Sequence, residues 1–588
     1  MLYQKIAAQL EQSAFFRGLV PLAAGTQIYH LSQSARALVA AHLWAKSAKN
    51  LILVSQDDII AEDLWDDLVS LVGRENAFYL PDYEILPYED RSPHYSIRAT
   101  RMITLLNALS DAPAIYSLSI RSLLRLIPDK ASLARHILTL KQGDSIDPED
   151  LLRQLQNMGY EIEYQVSKVY QAARRGGILD VFSPPNQNPV RIEFWGDEII
   201  SIRNFSASTQ RSLDADIKAV TLIPAREISL DDINSGSVII SQVREHGFFE
   251  GIENYYCLLT KNLSSFVDYF PPETRIMAFS NYSYIVEEME ALQEQTFSQY
   301  RKALKSRSKA KTPSPKQLIL DEEAFFKLIS SNDKIYLSQS EFIFPELTAN
   351  VRAPFMAQPA FESDLGLVAD TLRHKQESGW QHYLLFDNAS QERRMRQTIA
   401  EDASFVSHIG VLHEGFEIED IKLGLWTDHE IFNRYKRKRY APRFAPGETI
   451  VDYENLKPGD YVVHIDHGVG VFEGLKIIRL DGQDVECLVL RYANEDRVYV
   501  PTFQLSLVTK YVAEEGSAPV LNKLGSSKWQ NTKHRATQEI ELIAADLVKL
   551  YAMRNSRPGL THKPDGAWQQ ELEASFIYED TPDQKKAS

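Results

Sequence analysis

His464, Asp466 and His467 fall inside a four-residue window, and two imidazoles with a carboxylate invite a metal-binding reading. Alternation in an extended strand puts His464 and Asp466 on one face and His467 on the other, and no fourth ligand is evident. The three therefore read as residues shaping the turn before Gly468 and Gly470. Phosphate chemistry is the second candidate. A P-loop needs consecutive backbone amides around the phosphates, a lysine for the β and γ oxygens and a hydroxyl for magnesium, written GxxxxGK[ST]. The chain contains no Gly-Lys-Ser or Gly-Lys-Thr, and residues 18–26 (GLVPLAAGT), where the first β-α unit is expected to place such a loop, lack the lysine. The acidic triplet Asp321, Glu322 and Glu323 follows an apolar run of only three residues, 318–320, and reads as the acidic first turn of a helix. With no GxSxG elbow and no Cys-His signature, catalysis is not expected within these residues.

The residue types that remain are those of binding surfaces. In the run 190–195 (VRIEFW), alternation assigns Val190, Ile192 and Phe194 to a core. It leaves Arg191, Glu193 and Trp195 on the opposite face, and Arg and Trp are the types that dominate interface hot spots. Arg175, in AARRGG just before the strand at 178–182, can add a third anchor. The same set equally suits a surface ion pair with an indole lying over aliphatic stems. A second surface comes from residues 459–475 (GDYVVHIDHGVGVFEGL) and the alternating run ECLVLRY at 486–492: short strands and tight turns without intervening helices, which predict a small closed antiparallel barrel. Along the second run Glu486, Leu488 and Leu490 share one face, and Cys487, Val489 and Arg491 the other. Alternation does not choose which face is core, and the strand can also lend its edge to a partner sheet.

The elements that must carry these surfaces are legible in outline. A chain of 588 residues exceeds a single hydrophobic core and suggests four or five domains. Its 64 basic and 80 acidic side chains give a net charge of −16, so any nucleic-acid contact should be local. Two cysteines, Cys257 and Cys487, make neither a disulfide framework nor a CxxC site, and no apolar stretch of spanning length occurs; both point to the cytoplasm and away from the membrane. Strand and helix alternate from Gln27 to Leu109, which predicts an open parallel sheet. Beyond Asp150 the pattern is antiparallel, with Gly196-Asp197 as a two-residue hairpin turn. A further α/β unit is expected after residue 349, with a helix at 364–377 and a strand at 382–386. The basic run 434–443 (RYKRKRYAPR) reads as a solvated interdomain linker or as a contact for nucleic acid or an acidic partner. Residues 301–317 read as a solvated loop, and 529–556 as one long amphipathic helix.

Several stretches resemble one family. Residues 79–93 (YLPDYEILPYEDRSP), 174–184 (RRGGILDVFSP), 191–199 (RIEFWGDEI) and 251–255 (GIENY) are similar to the UvrB-like module of the bacterial transcription-repair coupling factors. Residues 459–501 look like that family's RNA-polymerase-interacting domain, and 576–584 (FIYEDTPDQ) like the start of its ATP-driven translocase, so a chain truncated before the motor is expected. The resemblance implies a multidomain α/β and α+β architecture. Its parts are a UvrB-like domain with a degenerate P-loop (1–136), a UvrA-binding domain inserted as an antiparallel β-rich unit (137–223), a second UvrB-like part (224–348), an α/β domain (349–446), a Tudor- or SH3-like polymerase-binding barrel (447–528), and a connecting helix leading to the motor (529–588).

By the same resemblance Arg175, Arg191 and Trp195 bind UvrA, although the family's aromatic is often phenylalanine. Glu486, Cys487 and Leu488 meet the RNA polymerase β subunit, unless Leu488 is simply a barrel core residue. The implied role is recruitment in transcription-coupled nucleotide-excision repair by a monomer needing no cofactor of its own. ATP, magnesium and double-stranded DNA would belong to the missing motor. Two rivals stand beside this reading: an active UvrB-type helicase or NTPase, and a transcription regulator using the barrel alone.

Overall fold

The structure is a computed structural model. It describes residues 1–432 apart from 21, 208–209, 234–238, 241–242, 244–246, 261, 307–311, 345–346, 362 and 400–404; beyond these it describes 459, 461–464, 468–480, 483–493, 496–501, 508–510 and 521. The basic run at 434–443, the side chains of His464, Asp466 and His467, and the helix expected at 529–556 lie outside the described residues.

The run 51–54 (LILV) is wholly buried, as a strand covered on both faces must be. Its alternate residues feed two cores: Leu51 and Leu53 face one, Ile52 and Val54 the other. Asn50–Ser55 sits near the middle of a seven-stranded sheet whose order is Ala349–Arg352, Thr26–Tyr29, Lys334–Leu337, Arg275–Ser280, Asn50–Ser55, Ile115–Ser119, Ala77–Leu80. Every neighbouring pair is parallel. The expected open parallel sheet is thus present, assembled from both ends of a long stretch of chain. The expected α/β unit from residue 349 starts differently: Ala349–Arg352 pairs with Thr26–Tyr29 and completes the first sheet. The helices start where short polar side chains cap them. Ser32 Oγ accepts from Ala35 N–H, and Asp57, Asp321 and Asp364 do the same for the helices Asp58–Val72, Glu322–Ser330 and Leu365–Glu377. Glu322 and Glu323 are the acidic first turn read from the sequence.

The position of the phosphate loop needs correction. Residues 18–26 precede the strand Thr26–Tyr29, whereas a phosphate-cradling loop follows its strand. The connection that does follow, from Tyr29 to the Gln33–Ser47 helix, is only His30, Leu31 and Ser32.

The inserted unit is a six-stranded sheet in sequence order, from Glu161–Ile162 to Ser212–Asp216, antiparallel except for its first pair. Trp195 pairs with Glu198 across Gly196-Asp197, and Gly196 adopts φ +62°, the backbone the tight turn needs. Where the insert enters and leaves, Leu138–Lys141 and Ala219–Leu222 pair with each other as a stem. Buried ion pairs fix the joint: Arg101 to Glu227 at 2.6 Å, and Arg226 to Glu253 at 2.5 Å.

The third unit is a five-stranded mixed sheet, order Phe355–Ala357, Phe416–Ile418, Leu423–Thr427, Gln381–Phe386, Val406–Ile409. Leu385, Leu412, Phe416, Ile418 and Leu425 pack into the same core as Leu38 and Leu68 of the first unit. The described strands near the C-terminal end form a five-stranded antiparallel sheet, order Arg497–Pro501, Gln483–Arg491, Gly468–Leu480, Tyr461–His464, Val508–Lys510. The sequence predicts a closed barrel; among the described pairs the ring is not closed. No helix among the described residues is long and apolar enough to cross a membrane.

Candidate partner-binding surfaces

The strand Val190–Trp195 is buried, half-buried, buried, half-buried, buried, exposed in that order, as its alternation predicts. Val190, Ile192 and Phe194 enter the core of the inserted sheet. Arg191 lies directly across from Asp180, and Glu193 from Ile178, whose other neighbour is Arg175. This register gathers the charges. The wholly buried Asp180 carboxylate accepts from Arg191 Nε at 2.7 Å and Nη2 at 2.9 Å, and from Arg175 Nη2 at 2.7 Å. Arg191 is held from below by the Phe205 ring, 4.7 Å from its guanidinium carbon to the centroid, and its hydrogen bonds to Asp180 raise its pKa further. Glu193 accepts from Ser201 Oγ at 2.8 Å.

Trp195 makes a different kind of contribution. It is 79% exposed at the hairpin end, the most exposed large aromatic among the described residues. An indole left in water at the end of the strand that carries Arg191 suits a partner with an apolar pocket, and the oriented guanidiniums suit acceptors on that partner. The structure brings Arg175 and Arg191 onto one carboxylate and sets Trp195 four positions beyond Arg191 on the same strand. Sequence reading missed Asp180. Its only signal is an acid among apolar neighbours in ILDV, and its role appears only with the cross-strand register.

The second surface turns out otherwise. Leu488 and Leu490 pack with Val462, Phe472, Tyr492 and Val500, so the face bearing Leu488 is the core. Cys487, on the other face, is also fully buried. The side chain of Glu486 lies outside the description. What this sheet exposes is Leu475 and Tyr499, at 45% and 42%, and a stretch of edge. The Gln483–Arg491 strand pairs with Gly468–Leu480 along its whole length, but with Arg497–Pro501 only from Cys487 onward. Residues 483–486 therefore have one described strand neighbour. Glu473 joins Arg491 (3.0 Å) and Arg497 (2.7 Å) across the three strands, which lowers its pKa.

Both surfaces coincide with domains of known proteins. Residues 138–228 match the family model of the UvrB interaction domain, and residues 456–512 that of the CarD-like/TRCF RID domain. The chain is similar almost end to end to the transcription-repair-coupling factors. That of Bacillus subtilis (strain 168) is 28% identical over 95% of this chain and 51% of its own length. That of Staphylococcus aureus (strain bovine RF122 / ET3-1) is 28% identical over 96% and 52%. The chain thus spans about half the length of the curated relatives it matches. Arg175, Arg191 and Trp195 all lie inside the UvrB interaction domain, and Glu486, Cys487 and Leu488 inside the RID domain.

Proposed function

We propose that this chain is the recruiting part of a transcription-repair coupling factor, binding UvrA through the inserted sheet and the RNA polymerase β subunit through the C-terminal sheet. The observation that carries the reading is the pair of guanidiniums oriented by buried Asp180 in the same sheet as an indole 79% exposed, within residues matching the UvrB interaction domain. Arg175, Arg191 and Trp195 make the UvrA contact. At the polymerase surface, with Cys487 and Leu488 buried, the contact runs through the backbone edge at 483–486 and through Leu475 and Tyr499. This is strand addition, with Cys487 and Leu488, buried on the two faces of the strand, holding the edge in place.

The whole protein would carry ATP, magnesium and a double-stranded DNA translocase in residues outside this chain, and would work as a monomer in the cytoplasm. The chain itself uses no cofactor. The missing Gly-Lys-Ser/Thr and the three-residue connection after Thr26–Tyr29 favour this over an active UvrB-type NTPase. Calorimetric titration of the 588-residue chain with purified UvrA, and separately with ATP and magnesium, tests both. Saturable UvrA binding that is lost in Arg191→Ala, with no heat from nucleotide, is expected. Stoichiometric ATP binding, or UvrA binding untouched by the substitution, would overturn the reading.

A further inference from the structure

The 410–415 loop (GVLHEG) leaves the edge strand Val406–Ile409 of the third unit and runs along the Asp58–Val72 helix of the first. Val411 N–H donates to Ser70 Oγ at 2.7 Å, His413 N–H to Asp67 Oδ1 at 2.9 Å, and Glu414 N–H to Ser34 Oγ at 2.9 Å. Ser34 in turn donates to Asp67 Oδ2 at 2.6 Å. Coming back the other way, Gln33 N–H donates to Glu414 Oε2 at 2.6 Å. A carboxylate of the third unit thus sits at the positive end of the helix that follows the first strand.

The His413 ring lies between two carboxylates of the Asp58–Val72 helix. Nδ1 is 2.8 Å from Asp67 Oδ1, and Nε2 is 3.1 Å from Asp63 Oδ1. A neutral imidazole has one N–H and can donate to one of them; serving both requires the imidazolium. Asp67 is wholly buried, and the His413 and Asp63 side chains are 16% and 21% exposed, so a bare ring nitrogen facing a carboxylate here would be poorly screened. The other groups around the loop make the charge count plain. Glu414 and Glu430 add two carboxylates, Glu430 accepting from Gly415 N–H. Arg36 is the fixed cation, attracted by both Glu414 and Asp67. His429 Nε2 is 3.0 Å from the His413 carbonyl, and His408 Nε2 is 3.3 Å from the Ser70 carbonyl.

We propose that this loop is a proton-dependent latch that fastens the third unit to the first, closed while His413 carries both ring protons and loosened when it gives one up. The latch is distinct from either partner-binding surface and operates in the chain alone. Its closed state is complete at low pH and fades as pH rises, because deprotonation leaves one ring nitrogen without a proton for its carboxylate.

Hydrogen exchange of the full 588-residue chain, corrected for intrinsic rate and followed from pH 5.5 to 8.5, reads it directly. Protection of residues 33–34 and 411–414 is expected to fall about tenfold across this range, the change that one unit of linked protonation free energy gives. His413→Asn should abolish the slope, whereas Glu414→Gln and His429→Asn, which remove a contact to the loop but not its titrating ring, should lower protection and keep the slope. Diethyl pyrocarbonate labelling of His413 in the unmodified chain needs no variant, and its onset must coincide with the loss of protection. A flat wild-type profile, a slope that survives in His413→Asn, or labelling with a different midpoint would each overturn the proposal.

Discussion

Asp180→Asn removes one negative charge and no volume from beneath the proposed UvrA surface. Arg191 loses the carboxylate charge beneath both its Nε and Nη2 bonds: the Asn oxygen can still accept from one, but the other N–H then faces an amide NH2, with the side chain only 14% exposed and seated on Phe205. Breaking a buried pair of this kind costs about 3 kcal/mol, the low end for such pairs. Arg175 loses one bond, but its side chain is 39% exposed and water can replace the acceptor, so it adds at most about 1 kcal/mol. The inserted sheet should therefore lose about 3–4 kcal/mol, which for a module of this size lowers its melting temperature by at least about 10 °C. Arg175→Ala, by contrast, should cost under about 1 kcal/mol. Both should weaken UvrA binding at least about tenfold, since one removes a contact and the other releases both guanidiniums from their fixed positions. Differential scanning calorimetry with matched binding titrations decides. An Asp180→Asn sheet as stable as wild type, or an Arg175→Ala sheet less stable than the Asp180 variant, would refute the idea that Asp180 organises this surface.

Trp195→Ala should leave the melting profile within about 0.5 kcal/mol of wild type, as expected for so exposed a side chain, while reducing UvrA affinity by about 2 kcal/mol in titration. Leu488→Ala should destabilise the C-terminal sheet by about 2–5 kcal/mol as a cavity in its core. Tyr499→Ala should instead spare stability and weaken polymerase pull-down. Asp58 gives a pH prediction. Burial, with Asp82 nearby, pushes its carboxyl up to about 6, so the folded state favours the protonated form. The folded state then holds more protons than the unfolded state between pH 4 and 6, and this group's contribution to stability falls by roughly 2–3 kcal/mol as pH rises through that window. Chemical denaturation of wild type and Asp58→Asn at several pH values should show their difference changing across that window and flat above pH 7.

Much of this was legible because periodicity survives in local sequence. The apolar run 51–54 and the alternation of 190–195 need no tertiary knowledge to be placed, and the acidic turn at 321–323 announces its helix. What was not legible depends on register. Nothing local says that Asp180 faces Arg191, or that Ala349–Arg352 closes the far edge of a sheet begun at Thr26. Alternation likewise split Cys487 from Leu488 but could not foresee that both faces of that strand would be covered. The phosphate-loop position failed because the strand Thr26–Tyr29 absorbs the end of the segment that was read as its loop.

The way the first sheet is threaded bears on how the chain is made. Thr26 pairs with Ile335 on one side and Ala349 on the other, and Leu51 with Ile276. At ordinary ribosomal speeds of about 5–20 residues per second, the earliest strands wait roughly 10–65 s for these neighbours to be made. The insert, closed off by its own stem, can fold during that interval while sticky, half-built β structure remains outside. Nascent chains of this architecture should lean on chaperones early, and a pause in synthesis before residue 352 should be more damaging than one after it.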